Sequence, residues 1–345
     1  MPLTYLLPHE YTQFVKTFQE IETNSNKESS DGSNYSLNYW IMKPVGLSRG
    51  RGISLVRDIV SLTYSQTSVL QKYIERPLCL DGYKFDLRLY VLVTSFRPLE
   101  AFIYKDGFAR VSTLTYSLDS KDIDNKFIHL TNASIQKQNQ DGPSVDNPIM
   151  QAEEDGGGSK IGLHGHHGLW ARLDKAGINT ELLWRNICLV VLKSLVVVDD
   201  KMTYQPNCFE LFGYDILIDY KLRPWLLEVN ASPSMARENQ LDHKVKNALI
   251  RDTIRLVDPI PYDRAAVARI LKRRLHDVNK NKLNISKNDP DLFKDLKDIY
   301  GDHIPRQYGE MPSHMGDYQK LCPDTKIHDH IMRLKGKIIN PMTKS

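Results

Sequence analysis

The stretch Phe209–Ser234, FELFGYDILIDYKLRPWLLEVNASPS, decides how this chain is read. Tyr214–Ile218 has the composition of a β-strand, Asp219–Arg223 that of a turn, and Pro224–Val229 that of the returning strand of a hairpin. Side chains alternate across a strand, so Glu228 and Asn230 share a face, and Asp215 joins them if the register allows. Two carboxylates and an amide carbonyl form an all-oxygen donor set, which suits Mg²⁺ and leaves positions open for water and phosphate. A hairpin edge with solvated acids is the alternative. The acids sit in apolar, aromatic sequence, where an unpaired carboxylate is costly to bury, and this favours the metal site.

Working outward, 345 residues suffice for one large or two moderate domains with a sizeable core. No apolar run reaches membrane-spanning length, and the N-terminus lacks the basic and apolar regions of a signal peptide. Cys79, Cys188, Cys208 and Cys322 are widely spaced without a CxxC pair, which indicates neither a disulfide framework nor a zinc cluster and fits a reducing cytosolic setting. The net charge of +4 is modest, and neither nucleic-acid binding nor membrane insertion is expected. Basic residues concentrate in Arg264–Lys282, a helical stretch suited to an acidic partner or to a solvated face.

Tyr5–Glu22 reads as an amphipathic helix after the extended PLTYLLP, and residues 24–39 as a polar loop insertion. Strand alternation follows at Tyr39–Lys43, Val69–Ile74, Tyr83–Thr94, Ala101–Tyr104 and Phe127–Leu130. Residues 138–167, with a glycine run and HGHH, read as a long surface loop. Thr180–Val198 is predicted as a helix burying Leu182, Leu183, Ile187, Val190, Val191 and Leu195, and Leu241–Leu256 as another. Residues 1–257 are expected to form the folded domain, and 258–345 a basic, partly disordered extension.

Several constellations carry chemistry. In WIMKPVGLSRGRGISLV, glycines allow close backbone approach to phosphate while Lys43, Arg49 and Arg51 supply charge; a basic turn explains the segment equally well. In YKFDLRLYVLV, Lys84, Asp86, Arg88 and Tyr90 take one face and Phe85, Leu87, Leu89 and Val91 the other. That pattern lines a polar cleft backed by core, or forms a cross-strand ion-pair ladder on a solvated face. The segment VLQKYIERP reads as a strand entering a hinge with backbone groups for an adenine edge. Arg110, His129, Thr131, Asn132 and Ser134 lie beside short apolar runs, where turn or capping roles are the simpler explanation. Lys246 follows Asp242 by four residues, as in an ordinary helical ion pair. His164, His166 and His167 are either metal ligands or part of a loop insertion, and the insertion is favoured.

With KPVGLSRGRGI, QKYIERPLCLDGYKFDLRLYVLVTS, FIHLTN and GYDILID…PWLLEVNASPS in order, the chain resembles the tubulin–tyrosine ligase-like family over Pro2–Val257, and within it the polyglutamylase branch. The resemblance implies an α+β ATP-grasp fold whose two subdomains clasp ATP, with the family's N-terminal subdomain missing before PLTYLLP. It implies that Lys43, Arg49, Gly50, Arg51 and Gly52 meet the phosphates. Gln71, Lys72, Tyr73 and Ile74 would hold the adenine, with Lys84, Asp86, Thr131 and Asn132 completing the nucleotide site. Asp215, Glu228 and Asn230 match magnesium ligands, and Arg88 and Glu228 are the implied catalytic residues. Arg110, Ser134, Lys160 and Lys246 match positions that hold free L-glutamate, although Lys160 stands in KIG where members often have GxKW.

The implied activity is ATP- and Mg²⁺-dependent addition of glutamate to tubulin C-terminal tails through an acyl phosphate. The implied location is the cytoplasmic cytoskeleton and the axoneme or basal body of a cilium or flagellum, with microtubules as partner and a need for accessory subunits left open. Glycyl or tyrosyl ligation, and a non-catalytic microtubule-associated role, are the alternatives.

Overall fold

The structure, a computed structural model, describes residues 1–28, 38–47, 50–60, 62, 66–119, 121–139, 159–203, 208–259, 261–279, 290–301 and 306–339. The chain divides into two compact units, Met1–Leu249 with Asp317–Ser345, and Ile250–Gly316.

The first unit contains two antiparallel sheets. The smaller has the order β1 (Thr4–Leu7), β4 (Ser68–Lys72), β2 (Trp40–Pro44), β3 (Ser54–Val56). Helix α1 (Tyr11–Glu28) covers it, and Phe14 and Phe18 pack with Tyr5, Leu7, Trp40 and Leu70. The Trp40 ring lies 5.1 Å from Phe14 in an edge-on contact. The Asn38 side chain donates to Phe18 O at 3.0 Å and accepts from Trp40 Nε1 at 2.9 Å, which fixes the return of the chain from α1 to β2. The helix starts at Tyr11, not at Tyr5, which lies in β1, and runs past the expected Glu22 to Glu28; residues 29–37 of the predicted 24–39 insertion lie outside the described residues.

The larger sheet is built on β6 (Tyr83–Phe96), which pairs with β10 (Glu210–Ile218), β7 (Leu99–Tyr104), β8 (Phe108–Thr115) and the short β5 (Cys79–Leu80). Strand β11 (Pro224–Asn230) extends it beyond β10, β9 (Lys160–Gly162) beyond β8, and β12 (Tyr318–Cys322) beyond β7. Phe85, Leu87, Leu89 and Val91 project from β6 into the core, as their alternation predicts. That core also takes in α4 (Leu169–Lys175), α5 (Thr180–Val198) and Ile331 of α9 (Lys326–Ile339). Helix α5 begins where the Asn179 side chain accepts from Leu182 N at 2.9 Å. It buries Leu183, Ile187, Val191 and Leu195 as expected, together with Cys188, Leu192 and Val196, whereas Leu182 is exposed.

Three sequence expectations are corrected. Phe127–Leu130 is not a strand but lies in α2 (Lys126–His129) and its cap, because Asn125 accepts from Phe127 N at 3.0 Å and opens a helical turn. A second short helix, α3 (Ala133–Gln136), follows. Arg110 lies in a strand, not at a turn or cap: Ala109 and Val111 alternate with Arg110 and Ser112 along β8. Lys160 and Ile161, placed by sequence in a surface loop, pair with β8, and Ile161 is fully buried. Residues 140–158 of that predicted loop lie outside the described residues.

Beyond residue 258, the second unit holds α7 (Arg264–Asn279) and α8 (Pro290–Tyr300), and α6 (Gln240–Val257) ends in it. Buried Asp295 of α8 accepts from Arg273 Nη2 and, at 2.7 Å, from Arg274 Nε. Chain 317–339 belongs to the first unit through β12 and α9. All four cysteines are free, and no described helix is long and apolar enough to cross a membrane.

Candidate functional site

A cavity of about 580 Å³ opens between the two sheets of the first unit. Thr4, Lys43, Gln71 and Lys72 line it from the small sheet, and Lys84, Asp86, Arg110, Asp215, Glu228 and Asn230 from the large one. Gly50 and Arg51, the chain at Tyr73–Ile74, and His129–Asn132 complete the wall. Fifteen of the residues to which the resemblance gives a site role are thus brought together. Gly52, Arg88, Ser134, Lys160 and Lys246 do not line the cavity, and Arg49 lies outside the described residues.

At one end, β10 and β11 set Asp215 directly opposite Glu228 and Gly213 opposite Asn230. A β-bulge between these positions and the Ile216–Leu226 pair makes Leu227 an extra residue, so Leu227 and Glu228 both face the cavity. Like charges facing one another across strands repel. Asp215 is relieved by Arg88, whose Nε and Nη2 reach its oxygens at 2.5 and 3.2 Å, and by Arg110 Nη2 at 2.9 Å. Burial pushes the Asp215 carboxyl upward, but Arg110 and Arg88 outweigh it and hold the group below the usual carboxylate range. Glu228, by contrast, is exposed and forms no hydrogen bond or ion pair among the described residues. The Asn230 amide nitrogen donates to Gly213 O at 3.3 Å, which leaves its carbonyl oxygen as the available donor atom. One unanswered carboxylate, one buried carboxylate and one amide oxygen fit a hard divalent cation. Among the described residues, no three His, Cys, Asp or Glu side chains gather as a metal cluster, and His164, His166 and His167 are exposed.

Lys84 and Asp86 of the β6 row line the cavity, and the ion pairs this row makes are buried, so it is not a ladder on a solvated face. Arg110 sits opposite Asp86 and grips it through Nε and Nη2, both at 2.6 Å. Thr131 Oγ1 donates to Asp86 at 2.7 Å. Burial depresses the Arg110 guanidinium, but Asp215 and Asp86 more than offset it and keep the cation charged.

On the small sheet, Lys43 Nζ donates to Gln71 Oε1 at 3.0 Å, and Gln71 Nε2 donates to Thr4 Oγ1 at 3.1 Å. Burial lowers the Lys43 pKa, while the charges of Glu228, Asp215 and Asp86 act to raise it. Gly50 and Gly52 hold φ of +73° and +70°, conformations that a side chain would strain, so the loop after β2 needs glycine at both.

A second polar group surrounds Lys84, whose Nζ donates to Tyr73 Oη at 2.9 Å and to His129 O at 2.7 Å. An ammonium only donates, so the Tyr73 hydroxyl directs its hydrogen to His129 Nδ1, 3.0 Å away. Burial drives Lys84 down to about 7 and, with the Lys84 charge, His129 down to about 4.

Sequence reasoning missed the apolar part of the cavity, formed by Ile41, Ile53, Val69, Leu130, Leu217 and Leu227. Leu217 could have been found, since it follows Asp215 by two on the same strand face. Leu227 could not, because the bulge that turns it inward is not encoded by alternation. Asp242 was read only as the partner of Lys246, at 2.9 Å, yet Lys160 Nζ also reaches its two oxygens at 3.1 and 3.0 Å.

The model of the tubulin-tyrosine ligase family matches residues 1–266. The human probable tubulin polyglutamylase TTLL2 is 38% identical over 258 residues, covering 74% of this chain and 40% of that protein. The mouse tubulin polyglutamylase TTLL5 is 36% identical over 273 residues, covering 77% and 19%. The Tetrahymena thermophila probable alpha-tubulin polyglutamylase Ttll1 is 35% identical over 277 residues, covering 75% and 60%. The chain spans less than two thirds of the length of each of these relatives. Its two-sheet α+β architecture and the match over most of its length agree, and the chain belongs to the tubulin-tyrosine ligase family, with an ATP-grasp-like fold.

Proposed function

We infer that this chain is an ATP-dependent ligase that joins free glutamate to glutamate side chains in the acidic C-terminal tails of tubulin. The observation that carries the reading is a single cavity with basic side chains from both sheets and the Asp215–Glu228 pair at one end. Relatives named as tubulin polyglutamylases support the substrate.

A carboxylate is a poor acyl donor. In the proposed reaction the γ-phosphoryl group of ATP moves to a tail carboxylate and ADP leaves. The amine of glutamate then attacks the acyl carbon, inorganic phosphate departs, and the amine proton is lost to solvent. Lys43 and the basic loop carrying Gly50 and Arg51 bind phosphate oxygens, and Gln71, Lys72, Tyr73 and Ile74 face the base. The apolar wall of Ile41, Leu217 and Leu227 suits a flat heteroaromatic ring. Asp215, Glu228 and Asn230 would hold Mg²⁺, which supplies charge neutralisation at the transferring group when bound. Arg88 and Arg110 lie beside that end and stabilise negative charge on the acyl phosphate. Arg110, Ser134, Lys160 and Lys246 orient the incoming glutamate, whose two carboxylates call for cations. The basic helix α7 offers charge complementary to the tubulin tails.

Incubation with microtubules, ATP and isotopically labelled glutamate, followed by mass spectrometry of the tubulin tails, tests the reading. Labelled glutamate appearing in branched linkage supports it. Incorporation of glycine or tyrosine instead, or ATP binding without any transfer, overturns it.

A further inference from the structure

Outside the lining of the cavity lies a buried carboxylate for which the reaction gives no direct use. Asp242, in the first turn of α6, is completely buried. Its oxygens take the ammonium groups of Lys160, on β9, and Lys246, one turn further along α6. Burial pushes the Asp242 carboxyl upward, and the bonds from Lys246 and Lys160 reverse this and keep it charged. Both ammonium groups also lie over the Phe108 ring, 5.3 and 5.7 Å from its centroid.

We propose that Asp242 is a positioning residue: it clamps Lys160 and Lys246 into one preassembled cationic receptor for a carboxylate of the incoming amino acid. The inference rests on the ligase reading above, and it follows from charge and donor accounting. Two ammonium groups brought together without an anion between them repel. With Asp242 between them the cluster is left at +1, still attractive to an anion. An ammonium has three donors. Lys160 directs two contacts to Asp242, and Lys246 directs one to Asp242 and one to Ala236 O, so each keeps a donor for a ligand. Register then aligns the receptor with the rest of the site. Lys160 is the cross-strand partner of Arg110, and Arg110 that of Asp86. Lys160 therefore continues the Asp86–Arg110 row, which lies two residues along β6 from the Arg88–Asp215–Glu228 row.

Asp242 also accepts from Glu238 N at 3.3 Å, so a purely structural role in starting α6 is the competing explanation. Binding of glutamate in the presence of Mg²⁺ and a non-hydrolysable ATP analogue, measured by calorimetry, separates the two for wild type, Asp242→Asn and Asp242→Glu. Asp242→Asn keeps the shape and an acceptor but removes the charge. We expect it to weaken glutamate binding by about tenfold or more, with nucleotide affinity close to wild type and partial recovery in Asp242→Glu, while the uncompensated lysine pair lowers the melting temperature. Equal losses of glutamate and nucleotide binding, or glutamate affinity unchanged in Asp242→Asn, overturn the proposal while leaving the ligase reading intact. A wild-type chain that binds nucleotide but no glutamate overturns both.

Discussion

Lys84 shows at the scale of one residue how burial and function compete. Its ordinary pKa of 10.5 falls to about 7 through burial, only partly countered by Asp86. Between those values the unfolded chain holds a proton that the folded chain does not, so folding becomes more favourable as pH rises from about 7 toward 10.5. Below about 7 both states are charged and the whole burial cost is present. Urea midpoints at pH 7 and 9 should therefore rise more in wild type than in Lys84→Met; equal slopes would remove Lys84 as the source. Glu228 is the opposite case, an exposed carboxylate without a partner among the described residues beside a buried one held by two arginines. Glu228→Gln should lower glutamate transfer by at least about 100-fold and abolish the Mg²⁺ dependence of nucleotide affinity, with melting unchanged. Retained activity would sink the metal assignment. The sequence exposed both residues through simple alternation, because a strand with one polar and one apolar face declares itself at a period of two.

The elements decide which of these side chains meet. Pairing of β10 with β6 and β11, and of β6 with β8, brings residues more than a hundred positions apart to hydrogen-bond distance, as with Arg88 and Asp215. The β8 and β9 strands were not legible: β9 is three residues long, and Arg110 alone in FARVST resembles a turn residue as much as a strand residue. The turn into β8 is equally constrained. A Cβ on Gly107 would lie 2.4 Å from Arg88 O, a backbone atom that cannot swing aside. Gly107→Ala should destabilise the chain by about 1–3 kcal/mol, read as a lower denaturation midpoint. It should also weaken activity through displaced Arg88. An unchanged midpoint would show that the turn relaxes freely.

For the molecule as a whole, the consequential feature is that residues 317–339 belong to the first unit. Strand β12 pairs with β7 and buries Tyr318, Leu321 and Cys322, and α9 buries Ile331. Each large apolar side chain so buried contributes about 1.5–3 kcal/mol. Truncation after Gly316 should uncover the β7 edge and lower the melting temperature by about 10 °C or more. An unaltered melting curve would mean that β7 is stable as a sheet edge. The sequence 258–345 read as an extension because YQKLC is too short and too mixed to announce a strand, and its partner lies more than two hundred residues earlier.

By itself the sequence determined the long strands, the main helices, the Asp215–Glu228–Asn230 hairpin and the family. These depend on local periodicity and on long, specific motifs. Only the tertiary structure decided that Arg110 bridges Asp86 and Asp215, that Leu227 turns inward at a bulge, and that Lys160 and Lys246 share Asp242. Those outcomes depend on strand register and on burial, which set the distances between charges far apart in the chain, and neither is written in the local alternation of residues.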